Sequence, residues 1–410
     1  MYYGWKIVAA LFVVMCFTSG LGFYIHSVLL QALVSEKGFA ITDISGAVSI
    51  FFSAGGVAGL GISILIDRYD VRYVMVGGAL LASVTLSAIG YVSEIWQVYA
   101  LYLFFGIGFS ASGLLPATTL IARWFTDKRA LAMSVSTTGL SVGGILVTPI
   151  TAMLIEQSGL ASATPLFGLV YFIGVVPLVL LVIRPFPSVN AVPMSANASG
   201  VSEASFMSGA EFSMTIREAT FWGLSVAWIF VMLAQVGGIA HQYGLVMENL
   251  TMAEAAVVLG VLPLFSVIGR LIGGLIVDRM SGHTFSLIVM LLQAVSLFVL
   301  AFSNGAFGLI LGLALLGITV GNLLMLQPLL IAEVWGLRHY SRIYATSNLL
   351  TMLGIAAGPV LMGYLLSETG NYTASFVMAG ISSLIAIVVF FFWGPRTERN
   401  PSVVAAQRAR

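Results

Sequence analysis

Ile64-Leu65-Ile66-Asp67-Arg68 closes one long apolar run, and about 210 residues later Leu275-Ile276-Val277-Asp278-Arg279 closes another. Other echoes keep nearly the same offset. Leu120-Ile121-Ala122 returns as Leu330-Ile331-Ala332, Pro149 as Pro359, and Gly22 and His26 as Gly237 and His241. Four weak matches in register argue for a chain made of two related halves. Parallel repeats of this kind, related by an axis along the membrane normal, are one of the ways membrane carriers are built.

Working outward, the composition selects the solvent. Hydrophobic residues make up 59% of the 410 residues, charged residues 8%, and mean hydropathy is +1.05. A soluble domain carries roughly 25% charge, so this chain could not cover its surface in water. Apolar runs of membrane-crossing length fall near 6–34, 44–66, 72–93, 97–122, 129–155 and 163–183, then near 219–247, 253–277, 284–303, 305–332, 343–367 and 373–394. The expected architecture is all-α and membrane-embedded, with twelve transmembrane helices in two pseudo-symmetric six-helix bundles. The bundles are expected over 1–184 and 218–395, joined by a Ser-, Ala- and Pro-rich cytoplasmic linker over 185–217, with a surface helix just before Phe221 and a cytoplasmic tail over 396–410. The run Ile7 to Val34 is too long for a signal-peptide core and is expected to stay as the first span. Cys16 is the single cysteine, so no intramolecular disulfide can form.

Cation placement orients the chain. With these spans, fifteen of the 17 lysines and arginines fall on the side of the N-terminus, from Lys6 through Arg129, Arg217 and Arg342 to Arg410, and Lys37 alone falls opposite. Lys and Arg accumulate on the cytoplasmic side, so both termini and the central loop should be cytoplasmic, in a cell inner membrane. A missed span would scramble this pattern. Asp67, Arg68 and Arg72, with Asp278 and Arg279 in the second half, then stand at cytoplasmic helix ends. There a carboxylate can hold an arginine or a helix N-terminus in one state and release it in another. The plainer alternative is a basic anchor with an incidental Asp.

The remaining cation, Arg270, fits neither side. It lies in Leu264-Phe265-Ser266-Val267-Ile268-Gly269-Arg270-Leu271-Ile272-Gly273-Gly274, eight residues before Asp278, or ~12 Å inside the helix end at 1.5 Å per residue. An arginine at that depth costs ~2.5–3.5 kcal/mol on insertion scales, and no Asp or Glu occupies the middle of any expected span. A substrate carboxylate could supply the partner through a bidentate charge-assisted pair. The alternatives are backbone carbonyls or snorkelling to the interface. One buried cation suits a monoanion better than a dicarboxylate, because the eleventh span, Ile343 to Leu366, has no basic residue and offers only neutral polar groups such as Tyr344, Thr346, Ser347, Asn348 and Thr351.

Asp67-Arg68-Tyr69-Asp70-Val71-Arg72 resembles the cytoplasmic loop motif of the major facilitator superfamily. Tyr3-Gly4-Trp5 is similar to the start of monocarboxylate porters. Trp124-Phe125-Thr126-Asp127-Lys128-Arg129-Ala130-Leu131-Ala132, running into Gly139 and Gly143-Gly144, resembles their fifth-span motif. The resemblance extends to oxalate/formate antiporters, and in both groups an eighth-span arginine binds the substrate carboxylate, a position that Arg270 matches. It implies alternating access, a lactate- or pyruvate-like substrate and proton symport. The sequence departs from the porters at two places: Ser266 stands where some have an aspartate, and Phe23-Tyr24-Ile25-His26 stands where some have a lysine. His26 and His241, the histidines within spans, are therefore the candidate proton carriers, because His titrates near neutral pH. Both could equally be hydrogen-bonded wall residues.

Tyr24, Ser112, Gln235, Asn322 and Asn348 are further candidate substrate contacts, although intramembrane amides often only join helices. Gly55-Gly56, Gly59-Leu60-Gly61 and Gly273-Gly274 read as close helix packing rather than phosphate loops, since they sit mid-helix. No metal constellation, catalytic triad or Cys cluster is present, so no enzyme activity and no cofactor are expected. The expected partners are a small monocarboxylate, a proton and the lipid bilayer, with no nucleic acid and a monomeric carrier. Organic-anion exchange and a non-transporting membrane sensor are the competing readings.

Overall fold

The computed structural model describes residues 3–125, 128–184, 209–277 and 279–396. Asp278, most of the expected linker, nearly all of the expected tail, and Thr126 and Asp127 of the fifth-span motif lie outside the described residues. Among the described residues, twelve helical segments are long and apolar enough to cross a membrane, and each lies within a few residues of an expected span.

The first span is helix α1 (Tyr3–Ser19), one π-helical turn (Gly20–Tyr24) and α2 (Ile25–Lys37). Next come α3 (Ile41–Arg68) and α4 (Val71–Ala88), and then a fourth span divided at Gly113 into α5 (Ile95–Ser112) and α6 (Leu114–Trp124). Helices α7 (Arg129–Ser158) and α8 (Leu160–Leu181) follow. A single helical turn, α9 (Phe212–Thr215), stands where a surface helix was expected. The later spans are α10 (Ala219–Asn249), α11 (Met252–Val277), α12 (Gly282–Phe302), α13 (Ala306–Trp335), α14 (Tyr340–Thr369) and α15 (Tyr372–Trp393).

Helix ends follow from local chemistry. The first amides of a helix lack intrahelical acceptors, and Asp, Ser or Asn side chains supply them. Asp70 accepts from the Arg72 amide at the start of α4, Ser281 from Thr284 at the start of α12, and Asn371 from Thr373 at the start of α15. At α5 the Glu94 and Gln97 side chains cap each other's backbone. The Glu36 carboxylate accepts from the Leu160 amide at 3.0 Å and so caps α8 from a distant part of the chain. Gly38 ends α2 at φ +73°, a left-handed conformation that glycine adopts at no steric cost.

The chain forms two compact units. The first comprises Met1–Asp127, Val135–Ser208 and Leu337–Leu349; the second comprises Lys128–Ser134, Gly209–Gly336 and Leu350–Arg410. In the first, α3 and α4 pack on α5, and α4 on α8; in the second, α11 and α12 pack on α13, and α12 on α15. The sequence repeat is thus also a repeat of helix neighbours. Leu297, Leu313, Leu316 and Phe376 form part of the second unit's fully buried core.

Candidate functional site

Arg270 lies in α11, seven residues before its last residue, Val277. Its side chain is 1% exposed and is among the largest fully buried side chains. Its head group therefore does not lie on the lipid-facing surface. Small residues let α13 approach: Gly269 lies against Ile318, and a methyl group on Gly321 would stand 2.9 Å from Cβ of Arg270. Asn322 donates from Nδ2 to the carbonyls of Gly269 (3.0 Å) and Ile318 (2.8 Å), which ties the two helices together. The Ser134 hydroxyl, from the start of α7, donates to the Arg270 carbonyl. Ser266, one turn before Arg270, is also buried.

The two intramembrane histidines have different surroundings. His26 is buried in the first unit among Phe51, Phe52, Tyr102 and Phe105, with ring centroids 4.3 to 5.9 Å away. Among the described residues, neither ring nitrogen has a hydrogen-bond partner, and neither does the buried Tyr102 hydroxyl. His241, half-buried in the second unit, meets the Pro359 carbonyl through Nε2 at 3.0 Å and lies near Tyr372.

The remaining polar candidates divide similarly. Ser112 is fully buried and bonds the Gly108 carbonyl and the Tyr171 hydroxyl, both at 2.8 Å, so it joins α5 to α8. Gln235 is buried in α10, and its Oε1 has no hydrogen-bond partner among the described residues. Tyr24 is 38% exposed beside Phe23, its ring covering Gly144, and Asn348 is half-buried in α14.

At the Asp67 motif the partners differ from those nearest in sequence. Arg72 bonds Asp70 at 2.6 Å. Asp67 instead meets Arg123 at 3.5 Å, Arg342 at 3.4 Å and the Ser341 hydroxyl at 2.5 Å, at the N-terminal turn of α14. These groups all belong to the first unit. Arg123 and Arg342 entered the sequence reading only as cations that set the side. Arg68 and Arg279 are exposed. Asp70 lies outside the spans: burial alone would raise its carboxyl, but the side-chain and backbone hydrogen bonds from Arg72 hold it below the usual range.

Sequence reasoning passed over Ser134, Gly321 and Tyr102. Gly321 and Ser134 carry no charge and gain their place only when the helices pack. Tyr102 looked like one more aromatic in an apolar run.

By class this is a multi-pass membrane protein that moves a solute. The chain belongs to the Major Facilitator Superfamily, whose profile matches residues 12–308 and 227–409. It is a secondary transporter and not an enzyme. It is 24% identical to the oxalate:formate antiporter of Oxalobacter formigenes, over 96% of this chain and 92% of that protein. It is 23% identical to monocarboxylate transporter 12-B of Danio rerio, over 95% and 86%. Among solved structures, the E. coli fucose:proton symporter FucP shares the fold with a TM-score of 0.72 at 16% identity, covering 96% of this chain and all of that one.

Proposed function

We propose that this transporter carries a small monocarboxylate of the lactate or pyruvate type, with Arg270 as the group that binds the carboxylate and with symport of a proton. The observation that carries the reading is a guanidinium buried to 1% exposure in a span without a mid-span carboxylate. Burying a cation is tolerable where an anion joins it, and a bidentate carboxylate pair is the strongest such partner. Similarity to monocarboxylate transporters at about 23–25% identity supports the substrate class. A substrate hydroxyl or oxo group would be read by neutral donors, with Tyr24, Gln235 and Asn348 as candidates. His26 and His241 are the candidate proton carriers; the Pro359 carbonyl can only accept, so it meets His241 as the Nε2–H tautomer.

In this reading two six-helix bundles, 1–184 and 218–395, alternate access in a cell inner membrane, with both termini cytoplasmic. Asp67 with Arg123, Arg342 and Ser341 forms a latch. Reporter fusions at the linker and C-terminus test the orientation: an externally active fusion at either place overturns it. Similarity to an oxalate:formate antiporter favours a second reading, anion exchange. Proteoliposomes with labelled lactate separate the two. Uptake driven by an inward pH gradient into empty vesicles supports symport, and a strict need for internal anion supports exchange. Arg270→Ala should abolish both modes, and wild-type rates in that variant would remove the carboxylate assignment.

A further inference from the structure

In an α-helix the carbonyl of residue i is bonded by the amide of residue i+4. The side chain at i+4 leans back toward the N-terminus and covers that turn. Along Gly269-Arg270-Leu271-Ile272-Gly273-Gly274 the i+4 positions of Gly269 and Arg270 are Gly273 and Gly274. Both carbonyls flanking the Arg270 Cα are therefore uncovered, and two other helices use the openings.

Asn322 of α13 reaches the first, donating to the Gly269 carbonyl at 3.0 Å, and its amide fills the space that a Gly273 side chain would take. Ser134 of α7 reaches the second, donating to the Arg270 carbonyl, and its Cβ and hydroxyl stand where a Gly274 side chain would stand. Gly321 completes the seat, since a methyl group there would lie 2.9 Å from Cβ and 3.0 Å from N of Arg270. Ser134 is 0% and Asn322 1% exposed, so water does not compete for these bonds. All of these residues belong to the second unit.

We propose that Ser134 and Asn322 are positioning residues that fix the backbone of Arg270 from two helices and so aim its guanidinium at the substrate. The proposal rests on the Arg270 reading above. A fork-to-fork pair with a carboxylate is directional, and a binding group works only when its own support is locked by neighbouring contacts. The Gly273-Gly274 pair is then the means of admitting those contacts. The arrangement also places a residue of α7, two positions after Ala132 of the fifth-span motif, directly on the anion-binding residue.

Initial rates of labelled lactate uptake test this across a concentration series in proteoliposomes. The series compares wild type with Ser134→Ala, Asn322→Leu, their double variant, Gly273→Ala, and Arg270→Ala as control. Each single positioning variant should raise KM about five- to tenfold, the equivalent of one lost hydrogen bond, with the maximal rate within about twofold. Gly273→Ala should match Asn322→Leu, because its methyl group displaces the amide. The double variant should fall short of the product of the singles, since both act on one backbone segment. Unchanged KM with only a lower melting temperature overturns the proposal and leaves the Arg270 reading standing. Wild-type uptake by Arg270→Ala overturns both. Where Ser134→Ala fails to fold, Ser134→Cys retains the bulk with a weaker donor, and an unchanged KM there counts against the proposal.

Discussion

The two units repeat each other's helix crossings but not each other's polar groups. In the first, Gly139 and Gly143 of α7 press on the carbonyls of Phe12 and Cys16 in α1; in the second, Gly354 and Gly358 of α14 press on those of Ile229 and Leu233 in α10. Trp124 and Trp335 end corresponding spans, with their indoles held by the Arg184 carbonyl at 2.9 Å and the Glu218 carboxylate at 2.8 Å. The offset that lays Asp67-Arg68 on Asp278-Arg279, however, sets Gly59 opposite Arg270. The paired histidines differ as well, His26 in an aromatic box and His241 on a backbone carbonyl. Repetition therefore maintains the scaffold, where glycine lets backbones meet, while the polar and charged side chains set on it differ between the units.

The strongest way to break this comparison is to exchange the two positions. Arg270→Gly should reduce lactate uptake to the background of empty vesicles. Gly59→Ala, whose new methyl group would meet only the Ser110 hydroxyl at 3.6 Å, should stay within about twofold of wild type. The double variant Gly59→Arg with Arg270→Gly should remain inactive, since the first unit lacks the Gly273, Gly274 and Gly321 setting. Restored uptake would mean that the units are interchangeable and that the asymmetry is no guide to function.

The glycine crossings come next. Gly143→Ala and Gly358→Ala each force a methyl group into a facing backbone, and overpacking of this kind costs about 1–3 kcal/mol. Melting temperatures should fall by similar amounts in the two variants, whereas Gly61→Ala, mid-helix with open space around it, should cause no fall. A large difference between the first two would show that the crossings are unequal in spite of their shared geometry.

These contrasts also mark what could be read from residue order alone. Span positions were legible because lipid demands about twenty apolar residues and charge ends each run. Arg270 was legible because a charge inside such a run has few tolerable settings. The packing role of Gly273-Gly274 was legible too, but not what filled the space, because a donor to a backbone carbonyl can be almost any polar residue on almost any helix. Asp67 was found at its helix end, while Ser341, 274 residues away, could not be paired with it without the fold. The π-helical turn at Gly20–Tyr24 is a change of backbone register that no periodicity of side chains announces. The Trp124–Trp335 pair lay within the repeat, yet its meaning depends on acceptors contributed by other segments.

Asp67 gives an effect of intermediate size. Asp67→Asn keeps the shape and removes the charge that meets Arg123 and Arg342. A latch that must form and break in each cycle predicts a several-fold lower maximal rate with KM within about twofold. A change confined to KM would place Asp67 in binding instead.

The smallest effect sharpens the comparison at the caps. Asp70 and Ser281 occupy matching places, each accepting a backbone hydrogen bond at the start of the next span, α4 in the first unit and α12 in the second. Replacing either by alanine should cost about 1 kcal/mol near neutral pH. Their pH dependence should differ. The folded-state pKa of Asp70 is depressed, so its charged contribution is present above the unfolded value of about 3.9 and is lost as pH falls through the lower folded value. The melting-temperature gap between wild type and Asp70→Ala should hold from pH 8 to 5 and narrow below about pH 4. The gap for Ser281→Ala, whose hydroxyl does not titrate, should stay constant. Parallel curves for the two variants would show that the Asp70 carboxylate contributes through shape alone, and that the two caps are alike in chemistry as well as in place.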